Sequence, residues 1–246
     1  KKIRVKALDN NNDIKWYAQT DSEIAQRLGV DLQRGLKNQD VEERLTHFGT
    51  NEIAEAKRRP IWRLIYNQFR DFMIIVLLAA AVISGFIGEL LDTIAILVIV
   101  ILNAIIGFFQ EYRAEKAVAA LSRLTAPKAR VIRDGHAKVV PSAQVVPGDI
   151  LLLEPGDLVA ADARLIETAS LRNAEAHLTG ESLPVDKSTV VVPAETALAD
   201  RSNMIFLGTS ITAGTGRALV VATGMDTEVG HIARLLQTAG SDETPL

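Results

Sequence analysis

Cysteine is absent from the 246-residue chain. That excludes disulfide scaffolds, thiolate metal ligands and cysteine nucleophiles together, and it accords with a reducing, cytoplasm-facing location. An excess of charge is absent too: Lys+Arg number 27 against Asp+Glu 30, a formal net charge of -3. No general polyanion-binding surface follows, so nucleic acid is not an expected partner. An initiator methionine and a visible secretory signal are also missing. Lys1 opens the chain and Thr244-Pro245-Leu246 closes it just after an expected helix, so the sequence is expected to be a fragment.

Several familiar catalytic patterns are missing as well. There is no Gly-x-x-x-x-Gly-Lys-Ser/Thr phosphate loop, no His-Glu-x-x-His pair and no Gly-x-Ser-x-Gly elbow. The 4 histidines, His47, His136, His177 and His231, lack ligand spacing, so no metal site is expected. Asp186-Lys187-Ser188-Thr189 lacks the Thr-Gly-Thr that follows the lysine of a phosphorylatable aspartate motif, and Asp186 is read as surface loop.

What is present begins with hydrophobic content of 48%, ample for a buried core. Residues 1–60 are read as a cytosolic segment with short helices near Asp21 to Leu28 and Gln39 to Phe48, the second capped by Asn38 and stopped by Gly49. Residues 61–124 carry two uncharged stretches, Phe72 to Gly88 and Thr93 to Phe109, each about 17 residues and at the lower limit for spanning a bilayer. Periodicity alone leaves a buried soluble pair open. Flanking charge favours the membrane: Lys57, Arg58, Arg59, Arg63 and Arg70 precede the first stretch, Arg113, Lys116 and Arg123 follow the second, and Glu89 to Asp92 between them has no cation. A transmembrane hairpin with both ends cytoplasmic is therefore expected, with Glu111 to Leu124 as a stalk. Asn103, inside the second stretch, is expected to pack against another helix.

Residues 125–240 read as a β-rich domain. Ala129 to Arg133, the Asp134-Gly135 turn and Ala137 to Val140 predict a hairpin. Short strands are expected at Ile150 to Leu153, Val190 to Val192, Met204 to Leu207 and Ala218 to Ala222, then a helix over about Thr227 to Gln237. Residues 241–246 would begin a link onward. The expected fold class is an α+β membrane protein, a two-helix hairpin with a distorted jelly roll and flanking helices.

The remaining signals are polar turns. They are Pro147-Gly148-Asp149-Ile150, Ala161-Asp162-Ala163-Arg164, Leu178-Thr179-Gly180-Glu181-Ser182-Leu183-Pro184-Val185, Asn203 to Thr209, and Thr223 to Ala233. Asp149, Asp157 and Asp162 are expected to stabilise turns rather than react. In this order after an apolar hairpin, with Val41 to Asn51 and Asn103 to Leu121 before them, the turns resemble the actuator region of cation-transporting P-type ATPases. Ala174 and His177 depart from the usual pattern of that family, in which an Asp-Glu pair precedes the loop and a small residue stands at the second position.

The resemblance implies a role. In that family, ATP with Mg2+ phosphorylates an aspartate on a separate domain, and the actuator loop then meets the acyl phosphate. Carried over to this sequence, Glu181 would orient and deprotonate the attacking water, Gly180 would permit close approach, and the Thr179 and Ser182 hydroxyls would bond the loop or the phosphate. The partners implied are the phosphorylation, nucleotide-binding and later transmembrane parts of the same protein, and the lipid bilayer. The N-terminal segment and Gln68-Phe69-Arg70-Asp71 look most like calcium pumps, which makes Ca2+ the expected cargo. Sodium, potassium, proton or magnesium transport, or a non-enzymatic membrane-anchored interaction module, are the alternatives.

Overall fold

The computed structural model describes residues 14–53, 72–88, 90–124, 127–180 and 182–239. The basic cluster Lys57-Arg58-Arg59 with Arg63 and Arg70, as well as Glu89, Glu181 and the link 241–246, lie outside the described residues. Two compact units are present, Lys1–Ala54 with Pro127–Leu246, and Glu55–Ala126.

In the first unit, helix α1 (Asp21–Leu28) starts at Thr20 because a capping box closes its first turn. Thr20 Oγ1 accepts from the Glu23 amide at 3.3 Å, and Glu23 Oε2 accepts from the Thr20 amide at 2.8 Å. Gly29, at φ 64, ends it in the left-handed conformation. Helix α2 (Asn38–Phe48) includes Asn38 as its first residue; Lys37 is the N-cap and makes no side-chain cap bond, so the expected Asn38 cap is displaced by one position.

The β-rich part is one antiparallel sheet of seven strands: β1 (Lys128–Arg133), β2 (His136–Pro141), β3 (Ile150–Leu153), β4 (Asp162–Ala174), β5 (Val185–Asp186), β6 (Met204–Ile205) and β7 (Ser210–Ala222). The order is β2-β1-β3-β7-β4-β5, with β6 paired to β4. The β1–β2 hairpin turns at Asp134 (φ 53) and Gly135 (φ 78), the double positive φ that Asp-Gly favours. Val190 to Val192 is not a strand. Strand β4, 13 residues long, is an element that the short strands expected from the sequence do not include.

Both sheet faces are covered. Val131, Leu151, Leu165, Ile205 and Val220 belong to one buried cluster, while Trp16, Tyr17, Ile24 and Leu28 pack with Ile150, Phe206 and Leu219 in another. Fully buried Ile24 and Leu28 each contribute about 1.5–3 kcal/mol. The N-terminal segment is thereby part of the β unit's core. Helix α6 (Glu228–Ala239) follows the sheet, after α5 (Ala176–Thr179), a single turn between β4 and β5.

The second unit contains α3 (Phe72–Ile87) and α4 (Leu90–Leu124), which pack against each other. Helix α4 begins at Leu90, so the four-residue link expected between the apolar stretches is shorter. Within it, Leu90–Glu111 is 22 residues with mean hydropathy 2.6, long and apolar enough to cross a membrane; Met73–Ile87 is shorter. Phe86 and Leu91 are 90% and 83% exposed, and Asn103, expected against another helix, is exposed too.

Candidate active-site loop

The loop at 179–182 is carried on a stem built by strand pairing. Arg172 pairs with Asp186 and Asn173 with Val185, and the Lys187 amide donates to the Leu171 carbonyl at 2.9 Å. Between these stems, α5 turns the chain. Leu178 and Thr179 amides both donate to the Glu175 carbonyl at 2.9 Å, and Thr179 Oγ1 donates to the same oxygen at 3.2 Å. Thr179 is thus bonded to its own loop.

Gly180 stops that turn at φ 81, with its amide on the Ala176 carbonyl at 2.9 Å. A Cβ there would meet nothing within 4 Å, so the requirement for glycine is set by the backbone angle rather than by crowding. Gly180, Ser182, Leu183 and Pro184 are exposed, Leu183 at 78%. Thr179, half-buried, closes α5, Gly180 caps it and Ser182 opens the exposed returning segment; Glu181 lies between Gly180 and Ser182 in sequence but outside the described residues.

Beneath the loop is a buried polar cluster that sequence reasoning missed. Glu175 and Lys187 form an ion pair with both side chains 0% exposed. Asn173 Nδ2 donates to Glu175 Oε1 at 2.8 Å and to Thr209 Oγ1 at 2.9 Å, and Thr209 Oγ1 donates to the Phe206 carbonyl at 2.7 Å. Burial pushes the Lys187 ammonium down from its ordinary value, opposed by the Glu175 charge. The visible signal was an Asp-Lys dipeptide. Asp186 of that dipeptide is exposed and paired with Arg172 at 2.7 Å, while the lysine beside it points inward.

The other turns hold backbone, as expected of their aspartates. Asp157 accepts from the Glu154 amide at 2.9 Å and from Arg130 at 2.9 Å. Asp162 Oδ1 accepts from the Leu207 amide at 2.7 Å and Oδ2 from the Glu228 amide at 2.8 Å. Burial raises its pKa to about 7, against those two hydrogen bonds. Asn203 Nδ2 reaches the Tyr17 and Val190 carbonyls at 2.9 and 2.8 Å. Asn51 Nδ2 donates to the Ser142 and Ala160 carbonyls, and its Oδ1 accepts from the Gly224 amide at 2.8 Å. Among the described residues no group of three or more histidine or carboxylate side chains is placed to hold a metal.

Residues 123–237 match the family model of the P-type ATPase actuator domain, and residues 16–84 match that of the cation transporter/ATPase N-terminus. The chain is 44% identical to Calcium-transporting ATPase 1 of Bacillus cereus over 94% of its own length and 27% of the relative's. It is 42% identical to the Calcium-transporting ATPase of Bacillus subtilis over 95% of its length and 26% of that protein's. With Calcium-transporting ATPase type 2C member 1 of Mus musculus the identity is 37%, over 92% and 25% respectively. The chain thus spans about a quarter of the length of these relatives.

Proposed function

The chain belongs to the cation-transporting P-type ATPases, and from that premise we propose that it is the N-terminal, first-hairpin and actuator part of an ATP-driven calcium pump. The observation that carries the reading is the exposure of Gly180, Ser182, Leu183 and Pro184 on a loop whose stem is held by a buried ion pair. Such a turn can enter another domain's site without disturbing the fold that holds it.

In the proposed step, water attacks the phosphorus of an aspartyl phosphate on the missing phosphorylation domain. The bond between phosphorus and the aspartate oxygen breaks, releasing inorganic phosphate and regenerating the carboxylate, while the water proton passes to Glu181. Gly180 lets the backbone approach closely, and Ser182 offers a hydroxyl to the phosphate. ATP and Mg2+ are assigned, as in the cation-transporting P-type ATPases, to parts of the pump outside this chain. Ca2+ is the cargo, in keeping with the relatives' names.

The apolar helices α3 and α4 are read as a membrane hairpin. At ~1.5 Å per residue the 22-residue stretch in α4 spans about 33 Å, enough for a hydrocarbon layer of ~30 Å. The exposed Phe86 and Leu91 suit lipid rather than water. Basic residues on both flanks put the two ends and the β unit in the cytoplasm. The bulged seven-stranded sheet is read as a distorted jelly roll, and rotation of that body would be coupled to the hairpin through the stalk half of α4.

The test is a chase of pre-formed, ADP-insensitive phosphoenzyme in the full-length pump, comparing wild type with Glu181→Gln. The variant keeps the loop's shape and removes the base, so decay should slow by ~10²- to 10⁴-fold while phosphorylation from ATP persists. Equal decay rates would remove Glu181 from the mechanism.

A further inference from the structure

The eleven residues 176–186 that contain the active loop are bracketed by Glu175 and Lys187, whose side chains meet beneath the loop. The bracket is mechanically direct. Glu175 holds Leu178 and Thr179 through its carbonyl oxygen, and Gly180 follows one bond later through Ala176. Lys187 holds the returning stem, its amide on Leu171 and its side chain turned inward below Phe206, 5.8 Å from the ring centroid.

Stability alone does not account for such a pair. An ion pair removed from water gains little or nothing over apolar side chains of similar volume, because the desolvation cost offsets the attraction. This one is also incompletely satisfied: Glu175 Oε2 and Asn173 Oδ1 are buried with no hydrogen-bond partner. What an ion pair supplies and an apolar contact does not is a fixed distance between two defined atoms, and here those atoms belong to the two stems of one loop. Exposed Arg172–Asp186 joins the same stems from outside, where solvent screening leaves little energy.

We propose that the Glu175–Lys187 pair is a positioning device that sets how far, and at what angle, the Thr179–Ser182 turn projects toward the phosphorylated partner domain. Neither residue touches the phosphate; both act through the turn they bracket. The proposal rests on the hydrolytic role assigned above to that turn. Through Asn173 the pair is also tied to Thr209 and the Phe206 carbonyl, so the turn is referenced to the 203–209 segment of the same unit.

The experiment uses the full-length pump carrying Lys187→Met, the neutral double variant Glu175→Gln with Lys187→Met, Lys187→Arg and, as a control, Glu181→Gln. Measured are phosphoenzyme formation from ATP and decay of the ADP-insensitive phosphoenzyme. The expected result is decay slowed by about 10- to 100-fold in Lys187→Met and in the double variant, with formation within about twofold of wild type, because a displacement of ~1 Å is enough to produce such losses. Lys187→Arg should restore part of the rate. The double variant leaves no unpaired buried charge, so it remains informative where Lys187→Met does not fold. Wild-type decay in the double variant, or formation and decay slowed alike, would overturn the positioning role. If Glu181→Gln slows decay and the pair variants do not, only this inference falls; if Glu181→Gln itself decays like wild type, the function proposed for the turn falls with it.

Discussion

The Arg133 guanidinium grips the Asp149 carboxylate at two points, Nε to Oδ1 at 2.8 Å and Nη2 to Oδ2 at 2.6 Å, with both side chains buried. Asp149 Oδ2 also accepts from the Val146 amide at 2.9 Å, and Arg133 also donates to the Gln144 carbonyl at 2.8 Å. The pair therefore ties β1 to the Val146–Asp149 turn that starts β3. The same turn needs glycine beside the aspartate: Gly148, at φ 96, leaves room for Arg44 of α2, whose guanidinium a Cβ would approach to 2.2 Å.

Removing one partner should cost far more than removing both. Arg133→Met leaves Asp149 charged and buried, so we expect a loss of about 3–5 kcal/mol in chemical denaturation. In Arg133→Met with Asp149→Leu the charge is gone, and the loss should shrink toward the ~1–3 kcal/mol of the unpaired Val146 amide. A double variant as unstable as the single one would show that the ion pair is not the relevant interaction.

Glycine should matter differently at two positions. At Gly214, φ 72, an added Cβ would lie 2.1 Å from the Ser170 carbonyl oxygen, inside the bulged β4–β7 ladder. Gly214→Ala must move backbone, and we expect destabilisation above about 3 kcal/mol. At Gly180, φ 81 with nothing nearby, Gly180→Ala carries only the left-handed penalty of about 1–2 kcal/mol. It should fold and melt near wild type, while phosphoenzyme decay slows in the full pump. Comparable melting losses in the two variants would contradict this reading of the turn.

Local chemistry made part of this legible in the sequence, and tertiary context hid the rest. The Asp134-Gly135 hairpin, the Gly49 stop and the helix after Thr227 follow from turn and cap chemistry confined to a few neighbouring residues. The long β4 did not show. Its first four residues are buried on both faces, and register shifts at Leu165/Glu167 and Ala169/Arg172 break the period-two alternation that marks a strand. Val190 to Val192 failed in the opposite way, a β-branched run whose Val192 amide donates to the Tyr17 carbonyl and whose Val190 carbonyl accepts from Asn203 instead of joining a ladder. At the loop, the Thr-Gly-Glu-Ser motif was visible. Its buried anchor Lys187 was not, since a lysine after an aspartate ordinarily reads as solvated surface.

Asp162 gives the fold a pH dependence whose sign follows from its surroundings. Its carboxyl bridges the Leu207 amide and the first amide of α6, while Glu228 opposes its ionisation and Arg201, paired with Glu228 at 2.8 Å, favours it. Burial dominates, raising the pKa from 3.8 to about 7. The folded chain therefore holds a proton that the unfolded chain releases between pH ~4 and ~7, and stability from this group is full below the unfolded value and lost as pH rises through the folded one. From pH 5 to pH 8 the loss should be about 2–3 kcal/mol. Asp162→Asn removes the titration but can accept only one of the two amides, so it should be less stable at pH 5 by ~1–3 kcal/mol and should lack this downward trend. The measurement is the melting temperature of both proteins in detergent at pH 5, 6, 7 and 8. The wild-type minus Asp162→Asn difference should narrow steadily as pH rises, because the variant shares every other titrating group; a difference that stays constant, or widens, would show that Asp162 is already ionised in the fold at pH 5.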